Sequence, residues 1–206
     1  MPFKLSTLGA GEESLEHRAI AKVRPYSCAL GSPASFPGFV TDSSAEVRLA
    51  RAEDLGSIAA IYAHYVEHTY VTFELQARTL EAWSERWDAA QRTRHPWFVS
   101  ELAGELAGFS TASEFRAYAA YRSTVETTIY IAPRFVGRRL GRELYAPLLG
   151  ELSERGFHTA VAAIALPNAA SVALHEALGF KTVGVLDEVG FKLGAWRDVG
   201  YWQRRL

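Results

Sequence analysis

Leucines at 140, 144, 148 and 152 recur every fourth position and predict a helix from about Arg138 to Arg155. Earlier in the chain, Leu55, Ile58, Tyr62 and Tyr65 mark a helix that Asp54 caps or begins. A second helix is expected from Leu80 to Gln91, with Trp83 and Trp87 on one face and Pro96 as its stop. Between and after these, the pattern shortens to strands. Val47–Ala50 alternates, and Trp97–Leu102 with Glu105–Phe109 forms a hairpin turning at Ala103-Gly104. Val125–Ala132 ends at Pro133, and the apolar run Ala160–Leu166 is a buried strand stopped by Pro167. A short helix from Ala169 to Leu178 closes at Gly179, and two late strands lie near Val183–Val189 and Trp196–Gln203. A strand meander followed by a strand–helix–strand–helix half predicts an α/β (α+β) mixed sheet covered by helices.

Residues 1–45 carry neither period. Ser, Gly and Pro punctuate 32–38, so this stretch is expected to be a flexible or loosely docked extension before a domain at 46–206. Hydrophobic residues make up 49% of the 206 and charged residues 22%, enough for a sizeable core. The formal net charge of −1 offers no global field for nucleic acid or an anionic membrane, so any anionic ligand must be met locally. Cys28 stands alone, which excludes an internal disulfide framework and points to a reducing compartment. No run approaches the ~18 apolar residues of a membrane span, and Glu12 and Glu13 interrupt any secretory apolar core. A cytoplasmic protein is expected.

The chemistry gathers after the strand that ends at Pro133. A loop, Arg134 to Arg139, leads into a helix start whose unpaired N–H groups and positive dipole end suit a pyrophosphate. Arg138, Arg139 and Arg142 add charge there; spacing alone leaves a solvated basic helix start equally open. The run Thr127 to Arg142 resembles the acetyl-CoA loop of the GNAT superfamily. Further matching stretches are Thr124-Val125-Glu126, Leu166-Pro167-Asn168, Leu174 to Phe180, and Trp196 to Gln203. Together they cover roughly Val47 to Leu206 and look most like the phosphinothricin and methionine sulfoximine N-acetyltransferase branch. The loop departs from the usual pattern: Val136 stands at the leading Arg or Gln and Arg139 at the first glycine, with Gly137 and Gly141 kept. A side chain at 139 crowds the diphosphate if the backbone needs positive φ there. Pro147 is expected to kink its helix.

The resemblance implies a splayed central sheet with helices on both faces, acetyl-CoA as co-substrate, no metal, and a homodimer. It implies coenzyme contacts from Ile129, Tyr130, Ile131, Gly137, Arg138, Arg139, Leu140, Gly141, Arg142 and Asn168. The sequence equally makes Asn168 a helix N-cap. Glu126 alternates away from Val125 and Thr127. In the family this glutamate is the general base, and His175 stands where many members carry the tyrosine that protonates the thiolate. Taken alone, Glu126 reads as a solvent-facing acid and His175 as a structural histidine. Phe73, Phe115, Arg116, Tyr118 and Tyr121 lie where the resembling enzymes bind the amino acid; an aromatic core edge is the plain alternative. Where a second basic residue often follows, this chain has Tyr118, which leaves a dianionic acceptor such as phosphinothricin undercompensated. Methionine sulfoximine, methionine sulfone and other amino acids remain open. The leading function is amine acetylation by direct attack in a ternary complex. A catalytically silent acyl-CoA-binding module and an acetyltransferase for a protein amine stand as alternatives.

Overall fold

The structure, a computed structural model, describes residues 45–206. The extension expected over 1–45 therefore lies, apart from Ala45, outside the described residues. Seven strands form one sheet: β1 (Glu46–Leu49), β2 (Trp97–Leu102), β3 (Glu105–Glu114), β4 (Thr124–Ile131), β5 (Thr159–Leu166), β6 (Lys181–Lys192) and β7 (Ala195–Arg205). Their spatial order is β1-β2-β3-β4-β5-β7-β6. Every neighbouring pair is antiparallel except β4 and β5, which run parallel. Four helices complete the fold: α1 (Leu55–His68), α2 (Leu80–Thr93), α3 (Leu140–Glu154) and α4 (Ala169–Ala177). This is the mixed α/β sheet the sequence predicts. No helix among the described residues is long and apolar enough to cross a membrane.

Two apolar clusters cover the two faces. One gathers Ile58, Tyr62 and Val66 of α1, Trp83 of α2, and Phe109 of β3. The other seats Leu144, Leu148, Leu149 and Leu152 of α3 against Val125, Ala160 and Ile164. The four-residue leucine repeat is thus the buried stripe of α3, and the helix passes through Pro147 as one element. Arg48 on β1 ties to the start of α1: its guanidinium meets both Asp54 carboxylate oxygens at 2.8 and 2.9 Å, while Asp54 also accepts the Arg51 N–H at 2.7 Å. That closes the turn entering α1.

Several elements run longer than the sequence pattern. β3 continues five residues past Phe109, through Ser110 and Thr111, which are buried because the strand is central and covered on both faces. Polar residues there break the alternation that would reveal the strand. α3 starts at Leu140 rather than Arg138, because Gly137 and Arg139 both hold positive φ, at 86° and 64°. β6 and β7 form one long hairpin turning at Leu193-Gly194.

Candidate active site

Strands β4 and β5 are each eight residues long, yet they pair only at Thr124–Thr159, Val125–Ala160 and Glu126–Val161. Beyond Glu126 they diverge while β5 stays paired with β7 along its length. Thr127 Oγ1 lies 3.2 Å from the Val161 carbonyl where the ladder has ended. The expected splay is therefore present and begins one residue after Glu126. Its outer half leaves β4 backbone unpaired on one edge. Ala132 N–H turns to Ala107 of β3, so by alternation the main-chain groups of Ile129 and Ile131 face the gap, and those of Tyr130 do not. Tyr130 instead presents its ring, which packs edge-on to Tyr62 at 5.1 Å and against Phe109 at 5.6 Å. The Tyr65 hydroxyl donates to Ile131 O at 2.5 Å.

The gap opens into a cavity of about 1080 Å³ that runs from the start of α3, through the splay, to a polar end between α1 and α2. At the outer end Gly137, Arg139, Leu140, Gly141 and Arg142 line it. The first N–H groups of α3 have no intrahelical carbonyl to meet, and they sit at the positive end of the dipole. Gly141 has a packing reason as well: a Cβ there would lie 3.1 Å from the Leu174 side chain, so α3 and α4 approach closely. Arg138 departs from expectation. It does not line the cavity but lies over the Phe135 ring, 5.5 Å from the centroid. Two positive-φ residues around it turn its side chain away. Asn168 lines the cavity and also caps α4, its Oδ1 accepting the Ser171 N–H at 3.1 Å, so both expected roles fall on one residue.

Glu126 faces the cavity at the root of the splay, while Val125 and Thr127 are buried on the opposite face, as alternation predicts. Burial raises its carboxyl pKa, and the charge of Arg116 pulls it partly back. A carboxylate so placed is a better base than a free one.

His175 is 3% exposed and both ring nitrogens are engaged. Nδ1 lies 2.7 Å from the Ser171 carbonyl, which only accepts, so Nδ1 carries the proton. Nε2 is then the acceptor, 3.2 Å from the Tyr145 hydroxyl, which also lies 2.5 Å from Thr127 Oγ1. Burial lowers the His175 pKa against the opposing Ser171 bond, and burial raises that of Tyr145. The imidazole is therefore neutral, with no Nε2 proton to deliver. That placement favours an orienting role over the thiolate acid expected from the resemblance. Tyr145 carries no signal in the sequence, where it reads as core filler, and Thr127 is marked there only by facing away from Glu126.

The expected acceptor set does not gather in the cavity. Phe73, Phe115, Arg116, Tyr118 and Tyr121 are all absent from its walls. Phe115 to Tyr121 lie on the β3–β4 connection, with Tyr118 75% exposed and Arg116 turned back on the Phe115 ring and carbonyl. Phe73 instead packs on Gly190, where a Cβ would come within 2.1 Å of its ring. The inner end is built from other residues: Tyr62, Thr72, Glu74, Arg78, Trp83 and Arg86. Arg78 Nε donates to both Glu74 oxygens at 2.8 and 2.9 Å. Burial opposes ionisation of Glu74, but those bonds and the Arg78 charge hold its pKa below the ordinary value. Arg86, three residues after Trp83, was hidden as one more charge on an amphipathic helix.

A model of the acetyltransferase (GNAT) domain matches residues 47–200. The chain is 42% identical over 159 residues to a phosphinothricin N-acetyltransferase of Streptomyces viridochromogenes, covering 77% of this chain and 86% of the relative. It is 36% identical over 165 residues to an L-methionine sulfoximine/L-methionine sulfone acetyltransferase of Salmonella typhimurium, covering 78% and 94%. Among solved structures, a GNAT superfamily phosphinothricin acetyltransferase from Sinorhizobium meliloti in complex with AcCoA superposes with a TM-score of 0.76 at 35% identity, covering 79% and 88%. With the splayed β4–β5 pair, the helix-start loop and these matches together, the chain belongs to the GNAT acetyltransferase family.

Proposed function

We propose that this enzyme transfers an acetyl group from acetyl-CoA to the α-amine of a free amino acid or close analogue, by direct attack in a ternary complex. The observation that carries the reading is one continuous cavity joining the α3 start to Glu126 and a cationic inner end. The phosphinothricin and methionine sulfoximine activities named for the relatives support an acceptor of that size.

The residues fit the coenzyme. The N–H groups at Gly137 to Gly141 with Arg139 and Arg142 would hold the pyrophosphate, and the Ile129 and Ile131 backbone would pair with the pantetheine amides as an added strand does. Acetyl-CoA would supply the acyl group as a thioester; the C–S bond breaks as the C–N bond forms, and the departing CoA thiolate takes its proton from solvent. Glu126 removes the proton from the acceptor's ammonium, directly or through one water, as its raised pKa suits. An Ile129 or Ile131 N–H polarises the carbonyl. His175 and Tyr145 orient the α4 side of the splay.

Release of CoA thiol is the test, with acetyl-CoA and a panel of free amino acids plus phosphinothricin, methionine sulfoximine and methionine sulfone. Saturable, acceptor-dependent release is expected; confirmed coenzyme binding without release for any acceptor overturns the reading.

A homodimer is part of the same proposal. The β6–β7 hairpin carries Val183, Val185, Leu186, Val189, Phe191 and Trp196, each 46–60% exposed, a large apolar display for an edge hairpin. Sedimentation equilibrium at micromolar concentration should give twice the chain mass, and a monomer there removes this part.

A further inference from the structure

The Tyr65 hydroxyl ends on the strand edge that the splay exposes. The main-chain groups of Ile129 and Ile131 face the gap, and among the described residues the Ile131 carbonyl alone of these carries a side-chain donor, Tyr65 at 2.5 Å. The phenol reaches it from α1, and Tyr65 and Ile131 both line the cavity. Its ring lies tilted against Tyr130, 4.9 Å between centroids, and edge-on to His64 at 5.5 Å. Tyr62, one turn earlier on α1, bonds instead to the Thr72 side chain at 2.8 Å, away from the β4 edge. An uncovered strand edge is a template for a further strand, so a hydroxyl set on its carbonyl caps it. Burial raises the Tyr65 pKa, which keeps the phenol protonated and able to donate across the neutral range.

We propose that Tyr65 is a latch on the pantetheine track: its hydroxyl holds the Ile131 carbonyl until a pantetheine amide N–H takes that oxygen, and so sets coenzyme affinity. The step rests on the acetyl-CoA reading above. An arm that adds to β4 as a strand does needs acceptors as well as donors from that edge. Phenol and arm meet at one oxygen, so the bond to pantetheine is exchanged for the bond to Tyr65 rather than added to it. The net benefit of the new bond falls by the one given up, a neutral hydrogen bond. The latch bears on the arm alone, because the groups suited to the pyrophosphate, Gly137 to Gly141 and Arg142, lie beyond β4 at the start of α3.

Calorimetry on the full chain compares coenzyme A with adenosine 3′,5′-bisphosphate, which keeps a nucleotide end and lacks the arm. Tyr65→Phe keeps the ring against Tyr130 and removes only the hydroxyl. It should bind coenzyme A about 2- to 10-fold more tightly than the wild type, the range of one neutral hydrogen bond. The bisphosphate Kd should stay unchanged, which also reports that the site remains folded. An unchanged coenzyme A Kd in Tyr65→Phe overturns the latch, and a weaker one overturns it by making the hydroxyl a ligand of the arm. Equal tightening of the bisphosphate overturns it as well, since the effect would then not pass through the arm. Wild-type protein that binds no coenzyme A overturns the coenzyme reading and the latch together.

Discussion

Glu126 and Val161 form the last pair of the parallel β4–β5 ladder, and one residue later the Thr127 side chain reaches the Val161 carbonyl in place of a backbone bond. The carboxylate proposed as the base is thus fixed at the apex of the wedge. Its backbone is held by strands on both sides, and its side chain projects into the space that the divergence creates. A rigid apex is what proton transfer requires, because a small displacement of the carboxylate breaks the hydrogen bond to the amine.

Replacing Glu126 with Gln should therefore lower kcat by about 10²- to 10⁴-fold and leave acetyl-CoA affinity unchanged. The sign of the pH effect follows from the raised pKa. The base works deprotonated, so wild-type kcat/KM rises with pH through a value above the ordinary 4.5, and this acid limb disappears in the variant. Rate profiles from pH 5 to 8 with a fixed acceptor settle it; an identical limb in Glu126→Gln assigns the ionisation elsewhere.

Arg139 stands in the left-handed region at φ 64°, at the position where the family pattern has glycine. A side chain there costs roughly 1 kcal/mol in backbone strain. Arg139→Gly should recover a few tenths to about 1 kcal/mol of stability, since the flexible unfolded chain offsets part of the gain. Urea unfolding reads the stability and the acetyl-CoA KM reads the site. A lower KM shows that the side chain obstructs the diphosphate; a higher one shows that the guanidinium binds a phosphate.

The strands, all four helices and the direction in which Glu126 faces were legible in the sequence because each has a local signature. The α3 stripe is a leucine repeat, and Glu126 follows from alternation inside a short strand. The insertion of β7 between β5 and β6 has no such signature, since strand order depends on pairings far apart in the chain. The inner end of the cavity was obscured for the same reason. Glu74 on the α1–α2 connection and Arg86 on α2 reach one cavity through tertiary packing of α2 on α1, whereas Phe115 to Tyr121 look like a pocket by composition alone. Arg138 and Arg139 are neighbours with the same side chain, yet only one lines the cavity, a choice made by φ and invisible to charge counting.

The Thr127–Tyr145–His175 chain makes a spectroscopic prediction. Burial lowers the His175 pKa, and the Ser171 carbonyl fixes the proton on Nδ1. Nitrogen-15 NMR of labelled protein at pH 7 should show a neutral, Nδ1-protonated ring for His175. Tyr145→Phe should keep that tautomer and cost about 1 kcal/mol or somewhat more of stability, as expected for lost buried hydrogen bonds. An imidazolium signal at pH 7 would restore His175 as a candidate acid for the thiolate.

Asp54 offers the clearest stability test outside the cavity. Hydrogen bonds from Arg48 lower its pKa, burial opposes them, and the Arg51 backbone N–H adds to the lowering. Its side chain is 8% exposed, so solvent screens the Arg48 pair little. A carboxyl whose folded pKa lies below its unfolded value of 3.8 contributes stability that is fully present above 3.8 and is lost as pH falls through the folded pKa. Asp54→Ala leaves Arg48 with the longer contacts to the Leu49 carbonyl at 3.3 Å and Glu101 at 3.4 Å and removes the cap at Arg51, so a loss of about 3 kcal/mol is expected at pH 7. The difference between wild type and variant should shrink as pH falls below 3.8, because the wild type then surrenders the same interaction. Urea unfolding at pH 7 and at the lowest pH where both remain folded measures that difference; a gap that stays constant with pH would mean Asp54 stabilises by shape rather than by charge.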